Sequence, residues 1–159
     1  MPVSAIYPWS RWITPLGMQK RFDTRYFAAV MPEGQHCLPD GHEAVSDIWI
    51  HPEAALHENL SGHIPLSPPT LVTLHQMAGF KRLWDFIERA TRFGWVSPMI
   101  PRRIQLDDGE ILIEPWDPFY HSETIPIEAQ RLESAVLPVG VSFSRIWGFR
   151  GRYRPVGIV

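Results

Sequence analysis

The sequence contains one cysteine, Cys37, and no hydrophobic run near the roughly 20 residues that a membrane-spanning helix needs. A single thiol cannot form an internal disulfide bond or a zinc site built from thiolates. Charge of one sign is not in excess, since 15 Lys and Arg residues balance 17 Asp and Glu residues. No global field therefore attracts nucleic acid or anionic lipid. The N-terminal segment also lacks the features of a signal peptide, so we expect a cytoplasmic protein.

The composition is that of a folded domain. The chain has 159 residues, of which 45% are hydrophobic and 20% charged. That is too apolar for a disordered chain and long enough for a hydrophobic core. The 16 prolines and 11 glycines punctuate the sequence and form no tract.

The first 92 residues show alternating strand and helix signals. Residues 1–15 are broken by proline and rich in aromatic side chains, which favours an extended segment across a core. Apolar and polar side chains alternate over residues 21–31, which predicts a strand. A second strand is predicted at residues 44–50, and a short helix from Pro52 to Asn59.

Two further helices are predicted next. Ser67 is a plausible N-cap and Gly79 a C-terminal stop for the first. The second is predicted over residues 81–92. Its apolar stripe is predicted to be Leu83, Trp84 and Ile87.

The C-terminal part is predicted to be rich in β-structure. Residues 102–115 alternate around the turn pair Asp108-Gly109, a strong signal of a β-hairpin. We interpret the adjacent Asp107 and Asp108 as turn residues and not as paired catalytic acids. One or two further strands are predicted near the C-terminus. Four arginines interleave there with aromatic side chains, which suits either a charged edge strand or stacking on nucleic acid: Arg145, Arg150, Arg152 and Arg154.

Local signatures of common catalytic classes are missing. The seven histidines include no H-x-x-x-H pair, so their spacing indicates no zinc site. The sequence has no G-x-S-x-G elbow, no phosphate-binding loop and no G-x-G-x-x-G turn. Nucleophilic hydrolases, nucleoside triphosphatases and dinucleotide enzymes therefore lack local support.

Four blocks occur in a familiar order: PWSRWITP, RFDTRYFAAVMP, DGHEAVSDIWIHPEAAL and LSPPTLVTLHQM. Together with the later P-W-D-P-x-Y around residues 116–120, they resemble the Nudix hydrolase family. The similarity is to the branch related to coenzyme A and acyl-coenzyme A diphosphatases, in the part downstream of the catalytic helix.

The resemblance implies an α/β fold with a Nudix-like mixed sheet and flanking helices, truncated at its N-terminus, plus a C-terminal β-rich extension. We assign residues 1–92 to the C-terminal portion of a Nudix-like domain. Residues 93–159 are assigned to a hairpin-rich extension packed on it.

The resemblance also implies hydrolysis of a diphosphate linked to another group, with a coenzyme A or nucleotide derivative as substrate and Mg²⁺ or Mn²⁺ as cofactor. Nudix enzymes hold the metal with a box of closely spaced glutamates, and no two glutamates are adjacent in this sequence. The metal ligands are therefore absent from this chain, and we expect the isolated chain to be inactive. A chain supplying the missing N-terminal half, or a homo-oligomer, is a possible partner; membrane and nucleic acid are not expected partners.

Three residues are candidates for the site. Glu43 lies in a glycine-containing loop where some Nudix proteins carry a general base; its alternative is a solvated loop acid. Arg21 and Arg25 flank Asp23 on one strand face and could bind phosphate. The alternative is a surface ladder of Arg, Asp and Arg. The alternative function is a non-catalytic module that binds a phosphate ligand or a protein.

Overall fold

The computed structural model describes residues 6–42, 46–93 and 97–159. Six strands and three helices occur in these ranges. The strands are β1 (Ile6–Ile13), β2 (Asp23–Ala29), β3 (Arg102–Leu106), β4 (Gly109–Ile113), β5 (Arg145–Phe149) and β6 (Arg152–Val156). The helices are α1 (Pro52–Ser61), α2 (Pro68–Ala78) and α3 (Leu83–Phe93). The predicted α/β composition is confirmed.

The strands form two antiparallel sheets. One contains β1 and β2, and the other has the order β3-β4-β5-β6. A single parallel bridge joins Trp12 to Met99 within the described ranges. The one mixed sheet that we expected is therefore not formed by the described residues. In each sheet, strands that follow one another in the sequence lie side by side. This order suits antiparallel pairing, because parallel neighbours need a long crossover connection.

The extended segment and the first strand that were predicted pair with each other in the structure. In the register of β1 and β2, Ile6 lies opposite Ala29 and Ile13 opposite Asp23, with an irregularity between Pro8 and Ser10. That irregularity fits a strand that contains proline, which has no N–H for the ladder. The hairpin of β3 and β4 and the two C-terminal strands are confirmed as well.

Helices α1 and α2 begin and end near the predicted residues. Proline stands in the first turn of each, where its missing N–H costs nothing. Gly62 follows α1 with φ 81°, a left-handed conformation that glycine adopts readily. Gly79 follows α2, and its N–H is donated to the backbone oxygen of Gln76.

Two predictions for this region are wrong. The strand expected at residues 44–50 does not form in its described part, residues 46–50, where Trp49 is 71% exposed. No described strand lies beside this segment, and β-structure needs a pairing partner. In α3 the apolar stripe is also misplaced, because Trp84 is exposed and Phe86 and Ala90 are buried together with Ile87.

The main core lies between the two sheets and the first two helices. Trp12 is 3% exposed and contacts a cluster drawn from both parts of the chain: Leu56, Leu71, Val72, Leu112 and Ile146. Burial of an aromatic side chain of this size removes 150–250 Å² of surface from water in typical proteins. Trp12 is thus positioned to stabilise the contact between β1 and the four-stranded sheet. The division at residue 92 stays a prediction.

A buried ion pair fixes the segment that follows β4. Arg145 Nε donates to Asp117 Oδ2 over 2.9 Å, and neither side chain is exposed. Asp117 also accepts from Ser144 Oγ and the Phe119 N–H. The hydrogen bonds from Arg145, Ser144 and the Phe119 N–H, together with the Arg145 charge, outweigh desolvation and lower the pKa of Asp117. The Asp of P-W-D-P-x-Y therefore has a structural role here.

Glu114 is a second buried acid, directly after β4, and its side chain is fully enclosed. Neither carboxyl oxygen has a hydrogen-bond partner among the described residues. Burial raises the pKa of Glu114 to about 8. The carboxyl group is accordingly neutral at pH 7 in the folded chain.

No helix in the described ranges is long and apolar enough to cross a membrane.

We predict that Glu114→Gln flattens the fall in stability that occurs as the pH rises from about 4.5 to about 8. The pKa of Glu114 is raised in the folded chain to about 8. Its stabilising contribution is therefore complete below the ordinary carboxyl pKa and is lost as the pH rises to about 8. The loss is on the order of a few kcal/mol, and the neutral glutamine avoids it. Urea denaturation of both proteins between pH 4 and pH 9 measures the difference, and parallel curves would contradict this assignment.

Candidate functional site

A cavity of about 170 Å³ lies where β1, β2, α2 and the four-stranded sheet meet. We call it cavity A. Two of the sequence blocks line it. The W-x-T-P part of PWSRWITP contributes Trp12, Thr14 and Pro15, and the P-P-T part of LSPPTLVTLHQM contributes Pro68 and Pro69. The remaining lining residues are Ile13, Met18, Thr24, Pro101, Arg103, Glu110, Leu112 and Tyr153. Segments far apart in the sequence therefore converge on one surface.

The polar wall of cavity A is a network centred on Glu110. Arg103 Nε donates to Glu110 Oε2, and the Tyr153 hydroxyl donates to Glu110 Oε1 over 2.7 Å. The sheet register places Arg103 and Glu110 on adjacent strands, and Tyr153 lies two strands away from Glu110. Both carboxylate oxygens of Glu110 are thereby occupied, which leaves this acid poorly suited to act as a base.

Gly148 lets the Tyr153 ring approach Glu110. A Cβ atom at Gly148 would lie 2.6 Å from Tyr153 Cε1, a distance that no real contact tolerates. Tyr153 is half-buried, and desolvation together with the Glu110 hydrogen bond and charge raises its pKa to about 12. The phenol is therefore protonated throughout the physiological range and donates a hydrogen bond.

Cavity A suits an uncharged group better than a phosphate. The guanidinium of Arg103 is already paired with Glu110, so its charge is neutralised. The N-terminal turn of α2 meets the cavity with Pro68 and Pro69, neither of which has an N–H to donate. The other walls are largely apolar. A group that combines apolar surface with a few hydrogen-bonding atoms matches this lining.

One of the two predicted phosphate residues, Arg21, lies at the edge of cavity A. Arg21 precedes β2, is exposed, and donates through Nε to the backbone oxygen of Thr14, a cavity residue. Arg25 lies on β2 opposite Arg11 and directly follows the cavity residue Thr24. Because successive residues of a strand alternate between its faces, Arg25 is on the face opposite to Thr24.

In the surface ladder of Arg21, Asp23 and Arg25, the central acid is hydrogen-bonded to Arg11 of the neighbouring strand β1. Asp23 accepts two hydrogen bonds from Arg11, at 2.7 and 2.5 Å, and the pKa of this exposed carboxyl is lowered mainly by them. The third candidate, Glu43, lies outside the described residues.

The described residues do not fit a divalent metal. No three His, Cys, Asp or Glu side chains come together in residues 6–42, 46–93 and 97–159. Glu110 is engaged by Arg103 and Tyr153, and Glu114 is enclosed. A Mg²⁺ or Mn²⁺ site needs several converging oxygens. We therefore assign no metal-dependent step to this part of the chain.

Two of the four C-terminal arginines have partners within the fold. Arg145 is the buried partner of Asp117, and Arg154 forms two hydrogen bonds with Glu133 at 2.9 and 3.1 Å. The Arg152 guanidinium lies against Gly62 at the C-terminal end of α1, where a cation is stabilising. Arg152 and Arg154 thus lie on the edge strand β6, as the edge-strand interpretation expects. Arg145 is instead on the internal strand β5, and the Arg150 guanidinium lies 5.0 Å from the centroid of the Phe149 ring.

Arg103, Glu110 and Tyr153 were not recognised from the sequence. Each lies in a strand whose pattern only predicted a hairpin or an edge, and 43 residues separate Glu110 from Tyr153. One signal was available, namely that Glu110 shares a strand face with Leu112 and so with the core. An acid on a core-facing position needs a buried partner.

Curated relatives match most of this chain. It is 28% identical over 152 residues to the acyl-coenzyme A diphosphatase NUDT19 of Homo sapiens, covering 89% of this chain and 40% of the relative. The Gallus gallus protein of the same name is 24% identical over 156 residues, covering 89% and 41%. The Xenopus laevis protein is 29% identical over 123 residues, covering 73% and 32%.

The chain thus spans about two fifths of the length of the first two relatives. No family model matches the sequence. No solved structure matches it either. The predicted resemblance to the acyl-coenzyme A diphosphatase branch of the Nudix hydrolases is confirmed.

We predict that Glu110→Gln lowers the pKa of Tyr153 from about 12 towards the ordinary value for tyrosine. The variant removes the negative charge that opposes the phenolate, whereas burial of the ring persists, so only part of the shift is lost. Titration of ring-labelled tyrosines by NMR follows all four tyrosines in one sample. A Tyr153 pKa that Glu110→Gln leaves unchanged would show that the carboxylate does not act on the phenol.

Proposed function

We propose that this chain is part of a Nudix-type hydrolase that cleaves the diphosphate of coenzyme A or of an acyl-coenzyme A. The observation that carries the proposal is the match of 89% of the chain to proteins named acyl-coenzyme A diphosphatase. Because the match spans about two fifths of those proteins, the activity belongs to a larger unit in this proposal.

Cavity A is proposed to contact the coenzyme A portion of the substrate. W-x-T-P and P-P-T, two of the blocks that carry the resemblance, both line it. Its hydrogen-bonding wall and apolar remainder suit the amide-bearing arm of coenzyme A. Arg21 at its edge and Arg25 on β2 are proposed to contact the charged phosphates, which remain outside the neutral cavity.

The isolated chain is proposed to bind without turning over substrate. Nudix chemistry uses divalent metals to neutralise the bridging phosphates and to activate the attacking water. The described residues bring no metal site together. This chain therefore contributes contacts to the substrate, and the metal ligands come from elsewhere.

Turnover by the purified chain is the first test. We expect no metal-dependent cleavage of acetyl-coenzyme A in Mg²⁺ or Mn²⁺ when the diphosphate is followed by phosphorus NMR. Calorimetry on the same sample is expected to show coenzyme A binding. Metal-dependent cleavage would overturn the assignment of inactivity. Absence of coenzyme A binding would count against the proposed substrate.

The double variant Arg21→Ala, Arg25→Ala is expected to weaken coenzyme A binding by about tenfold or more, since hydrogen bonds to charged groups contribute about 1.5–3 kcal/mol. The effect should diminish at high salt because exposed charges are screened. Arg92→Ala is the matched control, as Arg92 is an exposed cation on α3 paired with Glu88. Equal affinities for the double variant and the control would exclude the phosphate role.

The alternative is a non-catalytic binding module, and exposed apolar side chains beside the β1–β2 sheet favour its protein-binding form. Phe22 is 63% exposed and Phe27 is 55% exposed, and no described strand pairs with the second edge of β2. Unpaired strand edges bind other strands. Concentration-dependent self-association in sedimentation, without coenzyme A binding, would favour this alternative.

A further inference from the structure

A second cavity, of about 200 Å³, lies where α2 and α3 face the β1–β2 sheet. We call it cavity B. Residues 26–29 of β2 line one side of it. The other lining residues are Trp9 of β1, Thr73 and Met77 of α2, and Phe86 of α3. Cavity A and cavity B therefore lie at the two ends of the same surface between β2 and α2.

The lining of cavity B is apolar and carries no charged side chain. Thr73 donates its hydroxyl to the backbone oxygen of Pro69 over 2.8 Å, so that hydroxyl is already satisfied. The Trp9 and Phe86 rings lie 4.6 Å apart between centroids, and Phe80 contacts both. These contacts hold the aromatic wall in place, as aromatic pairs do in protein cores.

Trp9 Nε1 has no hydrogen-bond acceptor among the described residues and is shielded from solvent. Because a water molecule does not reach this atom, it does not face the space of cavity B either. Trp9 therefore contributes the apolar surface of its ring to the lining, and not its N–H group.

We propose that cavity B binds the acyl chain of an acyl-coenzyme A thioester. This inference rests on the proposed function and adds the location of the acyl group. Cavity A contains a charged pair, whereas cavity B contains none, so a hydrocarbon chain is better accommodated in cavity B.

The size of cavity B limits the chain length. An apolar protein cavity of about 150 Å³ holds benzene, which has six carbons. In proportion, about 200 Å³ accommodates about eight carbons. Each buried methylene contributes about 0.8 kcal/mol, or about fourfold in affinity. Affinity should therefore rise with chain length and level off near eight carbons.

The experiment measures calorimetric affinity of the 159-residue chain for coenzyme A and for its acetyl, butanoyl, hexanoyl, octanoyl and dodecanoyl thioesters. Free octanoate is measured in parallel. We expect increasing affinity up to about octanoyl and little gain beyond it, as the cavity volume predicts. Met77→Trp, which fills cavity B, should remove most of the dependence on chain length and leave coenzyme A affinity unchanged.

Gln76→Trp is the matched control. Gln76 is an exposed neighbour on the same helix and does not line cavity B, so the same bulk is added outside it. Circular dichroism and the thermal midpoint verify that each variant folds.

The outcomes separate this inference from the proposed function. Coenzyme A binding with no gain from acyl chains would overturn the acyl site and leave the proposed function intact. Binding of octanoyl-coenzyme A and octanoate, but not of coenzyme A, would support the acyl site and count against coenzyme A recognition. A chain-length dependence that persists in Met77→Trp would place the acyl group elsewhere. Altered self-association in Met77→Trp, without acyl binding, would identify cavity B as a polypeptide contact and overturn the inference.

Discussion

The burial of Trp12 is the constraint on which the rest of this structure depends. Trp12 belongs to one buried cluster with Leu56 of α1, Leu71 of α2, and Leu112 and Ile146 of the four-stranded sheet. Its backbone lies beside Met99, and the Ile13 N–H donates to the Met99 oxygen over 2.9 Å. One side chain of the W-x-T-P block thus joins two sheets that share no strand. Removal of a buried tryptophan typically costs 3–5 kcal/mol, comparable with the stability of a whole domain.

Both cavities share strand β1 as part of their lining. Trp12 lines cavity A, and Trp9, on the same strand, lines cavity B. Helix α2 contributes its first residues to cavity A and its last turns to cavity B, so one helix and one hairpin form both sites. The charged pair of Arg103 and Glu110 belongs to one cavity only. Because only cavity A contains a charged pair, we place the coenzyme A arm in cavity A and the acyl chain in cavity B.

Local sequence signals predicted the elements but not the site. Proline in the first turn and a following glycine located α1 and α2, and the Asp-Gly turn located the hairpin of β3 and β4. These signals act over a few residues. The strand expected at residues 44–50 does not form in its described part, residues 46–50, because a short apolar run becomes a strand only where another strand pairs with it. Arg103, Glu110 and Tyr153 meet through strand register, which depends on how the whole sheet pairs.

The most direct test of the central claim is an NMR structure of this chain with octanoyl-coenzyme A, read through contacts between ligand and protein protons. We predict contacts from the end of the acyl chain to Met77 and Ala28, and from the coenzyme A arm to Thr14 and Leu112. An acyl chain in contact with Leu112 and Tyr153 instead, or one that contacts neither cavity, would show that cavity B does not bind the acyl group.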